Sequence, residues 1–305
     1  MVATENTLDD RAFNLYVHPL QMPRFYLALA FALVLVPFVV VALVFGFILV
    51  LPAVAFVLWV ASEIFFAYVL GNAILVSRLN YPRINTIAEE MKKKLGYERQ
   101  VFIFVYEQGD FNAFLAQQFF RRAIFLNSEI LETGVSDDEV RWLVGRFIGY
   151  LRARRQAGAA GWLIRAAQRL LVFNVFILPY ERALVYTGDR LAVAGIDGDI
   201  VSAISAMQKL MVGRQLGYSV NPEGIVEQQR QVKGNVFAFL SRLMSSFPST
   251  TTRYVDLIVF ARAFFPAQYA KFAAANPGLP NDMPSLAASP LSGVVPGGYT
   301  PAPPA

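Results

Sequence analysis

Apolar residues follow one another almost without interruption from Phe25 to Val76. A transmembrane helix takes roughly 20 apolar residues, so this run is long enough for two, with a break around Gly46 to Pro52. Because so short a connection returns the chain at once, the two helices are predicted to form a hairpin whose ends emerge on the same side of the membrane. The positive-inside rule makes that side cytoplasmic, since basic residues follow the second helix at Arg78, Arg83, Lys92, Lys93 and Lys94.

A helical pattern in Ser136–Arg155 predicts the central helix of the domain that follows. Ser136 is the expected N-cap, and Glu139 would complete a capping box three residues later. Acidic residues lie in the first turn and arginines in the last turn, which suits the helix dipole. The buried face is expected to carry Val140, Leu143, Val144, Phe147 and Leu151.

Other patterns surround this helix. An amphipathic helix ending at Gly96 is predicted within residues 77–99, and β-branched and aromatic residues predict strands at Gln100–Tyr106 and Arg122–Leu126. Further predictions are a helix at Asp199–Gly213, a loop or broken helix at Arg214–Gly234, a short apolar helix at Val236–Met244 and a helix at Tyr254–Tyr269.

Two apolar segments contain polar side chains. The segment near residues 160–179 carries Arg165 and Arg169, and two arginines inside a span are costly, so we expect a membrane-associated helix at the interface or against the hairpin. A third span is the alternative. Glu63 lies inside the second predicted span, either as a carboxyl near a helix end, neutral or paired within the hairpin, or as a proton or partner contact.

Composition supports a membrane protein and limits the chemistry. Hydrophobic residues make up 56% of the 305 residues, and the mean hydropathy is +0.45. We interpret the net charge of +5 as basic cytoplasmic loops that contact the headgroups of a lipid bilayer, which we expect as a partner. We expect no nucleic-acid partner, because the sequence contains no nucleic-acid-binding signature. There is no cysteine, and His18 is the one histidine, whereas a zinc peptidase needs about three protein ligands.

The chain therefore divides into four predicted parts. Residues 1–23 form a polar N-terminal cytoplasmic segment, with His18 near the lipid headgroups and no cleaved signal peptide. Residues 24–76 form the transmembrane hairpin, and residues 77–275 form the main domain. Residues 276–305 are rich in Pro, Gly, Ser and Ala and are expected to be disordered.

The central helix also carries a resemblance. Its middle, Arg146-Phe147-Ile148-Gly149-Tyr150, is similar to the His-Glu-x-Gly-His motif of the HtpX-like and CaaX-prenyl-protease-like membrane zinc metallopeptidases. Glu181–Asp197 resembles the pattern Ser-Arg-x-x-Glu-x-x-Ala-Asp-Arg of that family, with Val185 at the third ligand position. All three ligand positions and the general base are therefore replaced, by Arg146, Tyr150, Val185 and Phe147.

Two shorter elements extend the resemblance. Asn112-Ala113-Phe114 matches a motif that lies on the edge strand beside the family's substrate cleft, and we interpret these residues as a peptide-binding edge, with a plain hairpin as the alternative. Residues 246–248 and Arg253 are similar to a late Ser/Thr-His-Pro…Arg element, with Phe247 in place of His. In the family the retained Asp orients the active-site helix, so we expect Asp189 to form an ion pair with Arg146 where the metal would lie.

The resemblance implies an α+β, mainly helical fold: a transmembrane helical hairpin followed by a zincin-like domain with a small sheet. The lost ligands imply a catalytically inactive metallopeptidase homologue without metal or cofactor. We expect it to bind, scaffold or regulate a protein partner in a membrane complex. We also expect a multi-pass protein of a bacterial-type inner (plasma) membrane, with its main domain in the cytoplasm. The alternatives are an active metalloendopeptidase with non-standard ligands and a structural subunit with a filled cleft.

Overall fold

The computed structural model describes residues 7–42, 50–107, 112–118, 121–132, 134–168, 174–234, 245 and 247–280. The fold is mainly helical with a small mixed sheet. The helices are α1 (Asp10–Tyr16), α2 (Gln21–Ala42), α3 (Val50–Asn72), α4 (Pro82–Lys94), α5 (Asp137–Arg155), α6 (Ala160–Gln168), α7 (Asn174–Gly195), α8 (Ile200–Val212), α9 (Arg214–Gly217), α10 (Pro222–Gly234), α11 (Thr250–Phe264) and α12 (Pro266–Ala275). The strands are β1 (Ile74–Leu75), β2 (Phe102–Tyr106), β3 (Ala113–Gln118) and β4 (Arg121–Asn127), followed by a 3₁₀ turn, Ser128–Leu131.

The sheet has the order β1-β2-β4-β3, so β3 lies at an edge. β2 runs parallel to β4, whereas β1 and β3 are antiparallel to their neighbours. The strands predicted at Gln100–Tyr106 and Arg122–Leu126 are confirmed with small shifts of their ends. The position of β3 is the one that the resemblance implied for Asn112-Ala113-Phe114.

The paired helices α5 and α7 form the centre of the core. Ser136 caps α5, and the predicted capping box with Glu139 is confirmed. The two helices approach closely at Gly149 and Gly188, where a Cβ on Gly188 would overlap the backbone carbonyl oxygen of Arg146. Trp142, Leu143 and Val144 of α5 are fully buried beside this crossing. The glycines therefore allow the backbones of α5 and α7 to pack in direct contact at this point.

The helices α2 and α3 are long and apolar enough to cross a membrane over Gln21–Phe38 and Pro52–Asn72, by length and composition. The helix α2 contacts α6 and α7, whereas Phe66 and Val69 of α3 pack on the outer face of the sheet beside Phe104 and Phe125. The segment near 160–179 consists of α6 and the start of α7, and residues 169–173 lie outside the described residues. The helix α6 contacts α2, the first of the two apolar helices.

Glu63 is paired outside the two apolar helices. Its carboxylate lies 2.9 Å from the guanidinium of Arg121 on β4, and that guanidinium also covers the ring of Phe66. Both side chains of the ion pair are partly exposed. The interpretation of Glu63 as paired within the hairpin is therefore wrong, because the sheet, not α2, supplies its cation.

The described residues of the predicted N-terminal segment, 7–23, pack against the main domain. Phe13 of α1 is buried under the guanidinium of Arg152, and the Leu8 backbone donates a hydrogen bond to Lys94. His18 is half-buried: its ring stacks on Tyr186 of α7 at 4.9 Å, and its backbone N–H donates to Thr187 Oγ1. The segment belongs to the folded domain because it covers α7.

The C-terminal helices differ from the predictions in one respect. The expected helix at Asp199–Gly213 is confirmed as α8, and the broken helix at Arg214–Gly234 is confirmed as α9 and α10. The helix predicted at Tyr254–Tyr269 is instead two helices, since Pro266 keeps the preceding Phe265 out of the helical region. The helix predicted at Val236–Met244 and residues 281–305 of the predicted disordered tail lie outside the described residues.

Candidate functional site

A cavity of about 370 Å³, which we name the central cavity, lies between α5, α7, α11 and the edge strand β3. It brings together every site residue that the sequence singled out. Its walls include Asn112, Ala113, Phe114, Leu115, Gln117, Arg146, Phe147, Tyr150, Glu181, Val185, Asp189, Leu210, Phe247, Thr250 and Arg253.

Helix periodicity explains why these residues meet. Arg146 and Tyr150 are four residues apart on α5, and Glu181, Val185 and Asp189 are spaced by four on α7, so each set faces one side of its helix. The close contact of the two helices then places both sides on the same cavity. The sequence motifs thus mark one place in the fold, although they are separated along the chain.

Arg146 is a buried guanidinium with few partners. It is 8% exposed, and its Nη2 donates a 3.0 Å hydrogen bond to the backbone carbonyl of Ala113 on β3. Its guanidinium lies 4.4 Å from the ring centre of Phe147 and 5.6 Å from that of Trp142. Its Nε is buried and has no hydrogen-bond partner among the described residues. Burial and the neighbouring charge of Arg253 lower the pKa of Arg146 to about 9.

The predicted ion pair between Arg146 and Asp189 is not the one that forms. Asp189 is buried and accepts two hydrogen bonds from Arg253 of α11, at 2.7 and 2.8 Å. This two-point geometry is the strongest contact between a guanidinium and a carboxylate. Arg146 therefore bonds to the backbone of β3 and not to Asp189. The sequence placed Arg253 near the site only through the resemblance, and nothing in local pattern indicated its partner.

The other end of the central cavity is a hydrogen-bonded cluster that the sequence analysis missed. The Tyr150 hydroxyl donates to Glu181 at 2.6 Å, and Arg154 donates to the same hydroxyl at 2.6 Å. Arg154 also forms an ion pair with Glu181 at 3.2 Å, and Gln168 of α6 donates to the second carboxylate oxygen. Burial and the nearby Glu181 carboxylate raise the pKa of Tyr150, so the phenol stays protonated.

The residues present do not fit the zinc ion that the resemblance implies. The three ligand positions hold a guanidinium, a phenol and an isopropyl group, and the guanidinium repels a cation. The two carboxylates of the central cavity are already engaged, Asp189 with Arg253 and Glu181 with Arg154. Within the described part of the chain, no group of three or more His, Cys, Asp or Glu side chains converges.

The edge of β3 carries hydrogen-bonding groups that face away from β4. Ala113 lies opposite Leu126, and the Asn127 N–H donates to the Asn112 carbonyl, so the backbone groups of Ala113, Leu115 and Gln117 point to the open side. At Ala113 both groups are occupied: the N–H by the Asn112 side chain at 2.8 Å and the carbonyl by Arg146. The open edge available to another strand therefore begins at Leu115.

Comparison of the chain with protein-family models, with curated proteins and with solved structures yields no match in any of the three.

Proposed function

We propose that this protein is a catalytically inactive, membrane-anchored homologue of the zinc metallopeptidases that holds a segment of a partner polypeptide in its central cavity. It would act as a binding, scaffolding or regulatory subunit of a membrane protein complex. The observation that carries this proposal is the position of the β3 edge beside Arg146, Tyr150 and Val185 in one cavity. An edge strand binds an extended peptide through main-chain hydrogen bonds and needs no catalytic group to do so.

The proposed loss of catalysis rests on the chemistry of these side chains. Hydrolysis in the zinc peptidases uses a metal-activated water and a carboxylate base. Phe147 stands where the base would be and cannot accept a proton. Arg146 keeps a positive charge at the first ligand position, so a divalent cation would be repelled by the residue that should bind it.

The proposed anchor is the pair of helices α2 and α3 as a transmembrane hairpin, in which the part of α3 from Glu63 onward also contacts the sheet at the membrane surface. Along α3 large apolar side chains face outward, including Phe56 and Val57, which are 61% and 63% exposed. A soluble chain rarely exposes so continuous an apolar surface. With the basic residues after α3 on the cytoplasmic side, the zincin-like domain would lie in the cytoplasm, at a bacterial-type inner membrane.

The alternatives explain fewer of these observations. A purely structural subunit with a filled cleft would leave little space at the site, whereas Phe147, Tyr150 and Val185 line about 370 Å³ of open volume. An active peptidase with substitute ligands would need carboxylates free to bind metal, and Asp189 and Glu181 are both held by arginines.

Site-directed crosslinking in native membranes tests the proposal, since the chain has no cysteine of its own. Phe247→Cys places a thiol at the rim of the central cavity, and Leu216→Cys is a matched control, because the two side chains are 64% and 63% exposed. With a thiol-reactive photocrosslinker, we expect polypeptide adducts from position 247 that are absent from position 216 and are lost when Leu115→Pro is added.

Equal adducts at the two positions, or adducts that do not change with Leu115→Pro, would argue against a peptide site in the cavity. Metal analysis and a casein-type proteolysis assay on the purified protein test the other half of the proposal. One zinc ion per chain together with cleavage would overturn the assignment of an inactive homologue.

A further inference from the structure

Arg146 is a buried cation with one hydrogen bond and no carboxylate partner among the described residues. Its side chain lies in the wall of the central cavity and the residue is 8% exposed. Its one hydrogen bond goes to the Ala113 carbonyl. Its Nε has no partner among the described residues. A buried ion is stabilised when an opposite charge and further hydrogen bonds reach it, so this guanidinium retains the capacity to take an anion.

The two carboxylates of the central cavity do not pair with Arg146. The carboxylate of Asp189 is bound at two points by Arg253, and that of Glu181 is bound by Arg154 and Tyr150. Among the described residues no carboxylate lies within ion-pair distance of Arg146. The cavity therefore presents one cation without a matching anion, beside apolar side chains such as Val185 and Leu210.

The edge of β3 indicates what form the anion takes. A strand added to this edge can bond to the outward groups of Gln117 and Leu115, but at Ala113 the carbonyl already accepts from Arg146 and the N–H already donates to the Asn112 side chain. Pairing of an added strand therefore stops before Ala113, and the end of that strand lies next to the Arg146 guanidinium. If it runs antiparallel to β3, the direction that pairs of strands favour, the end that arrives there is its carboxyl end.

We propose that the central cavity binds the free C-terminal carboxylate of an extended peptide, with the peptide paired antiparallel to β3 from Gln117 to Leu115 and its carboxylate held by Arg146. This inference rests on the proposed function, because it specifies the segment that the cavity holds. A charge-assisted hydrogen bond in a site shielded from water favours the carboxylate over a neutral amide of the same shape. The ligand class is thus a polypeptide C-terminus with extended, apolar last residues.

The test uses the full-length protein in detergent micelles and two fluorescein-labelled pools of random hexapeptides. One pool ends in a free carboxylate and the other in a carboxamide, and binding is measured by fluorescence polarisation. We expect the carboxylate pool to bind at least about tenfold more tightly. In Arg146→Gln the two pools should bind equally. Arg83→Gln, a control that removes an exposed arginine outside the cavity, should keep the preference.

A second variant separates this inference from the proposed function. Leu115→Pro removes an outward N–H without taking a hydrogen bond from the β3–β4 ladder, and Leu115→Val retains that N–H. If both pools bind equally to the wild type and Leu115→Pro abolishes binding, the peptide site stands and the carboxylate inference is wrong. If neither pool binds the wild type, both proposals fail. Should Arg146→Gln not fold, the comparison of the two pools on the wild type still decides.

Discussion

Asp189 of α7 accepts both hydrogen bonds of a two-point ion pair from Arg253 of α11, although Arg146 lines the same cavity. The two partners are 64 residues apart in the chain. The pair joins the helix that packs against α5 to the helix that closes the far side of the central cavity. It therefore links two walls of the central cavity.

Replacement of Arg253 should destabilise the fold strongly. Arg253→Met leaves the Asp189 carboxylate buried without its cation, and breaking a buried pair in this way costs about 3–5 kcal/mol. The free energy of unfolding, measured by denaturant titration in detergent, checks this. Arg83→Ala is the control, because it removes a half-exposed pair with Asp137, and such pairs contribute about 0–1 kcal/mol. Equal losses in the two variants would mean that Asp189 finds another partner.

Addition of a methyl group at the crossing of α5 and α7 should be poorly tolerated. In Gly188→Ala the new Cβ would overlap the Arg146 carbonyl and lie 3.0 Å from the Tyr150 nitrogen, so the helices must separate. Overpacking of this kind costs about 1–3 kcal/mol or more. Thermal unfolding should show a lowered midpoint. Gly224→Ala, where a Cβ meets nothing within 4 Å, should leave the midpoint unchanged or slightly raised.

His18 should make the fold sensitive to mild acid. Burial, followed by the charges of Arg190 and Arg24, holds the pKa of His18 well below its ordinary value, so the folded protein keeps the ring neutral. The unfolded chain takes up a proton near pH 6.5, and stability therefore falls as the pH drops below that value, by up to about 1.4 kcal/mol per pH unit.

The variant His18→Gln isolates this effect. The difference between its unfolding free energies at about pH 7.5 and about pH 5.5 should be smaller than in the wild type, because the titrating ring is gone. An unchanged difference would show that other groups cause the acid sensitivity. Asp9→Asn, a change at an exposed cap of α1, provides a control for the general cost of a substitution in this segment.

The orientation of the proposed hairpin predicts a labelling pattern. Leu79 follows α3 and is 93% exposed, so a cysteine introduced there should react with a membrane-impermeant maleimide in inverted vesicles and be protected in spheroplasts. Gly46→Cys lies in the predicted turn between the helices, and it should show the opposite pattern. Reaction of both positions from the same side would refute the hairpin.

The sequence by itself determined the local elements of this protein. The capping box of Ser136 and Glu139, the start and end of α8 and the two long apolar helices depend on residues within a few positions of one another, and each was predicted correctly. The edge position of Asn112-Ala113-Phe114 came from the resemblance to a family motif. The sequence also contains the signal for the break, Pro266, but the aromatic pattern continues across it and favours one long helix.

Only the tertiary structure decided which charges meet. Arg146 bonds to Ala113, 33 residues away, and Asp189 takes Arg253, while His18 leaves the expected tail and stacks on Tyr186. The reason is physical: a hydrophobic period is repeated along the chain, but the partner of a buried ion depends on how whole helices pack. In this chain the packing of α5 against α7 and the position of α11 beside them decide which charged side chains are close enough to pair. No local sequence pattern encodes that packing.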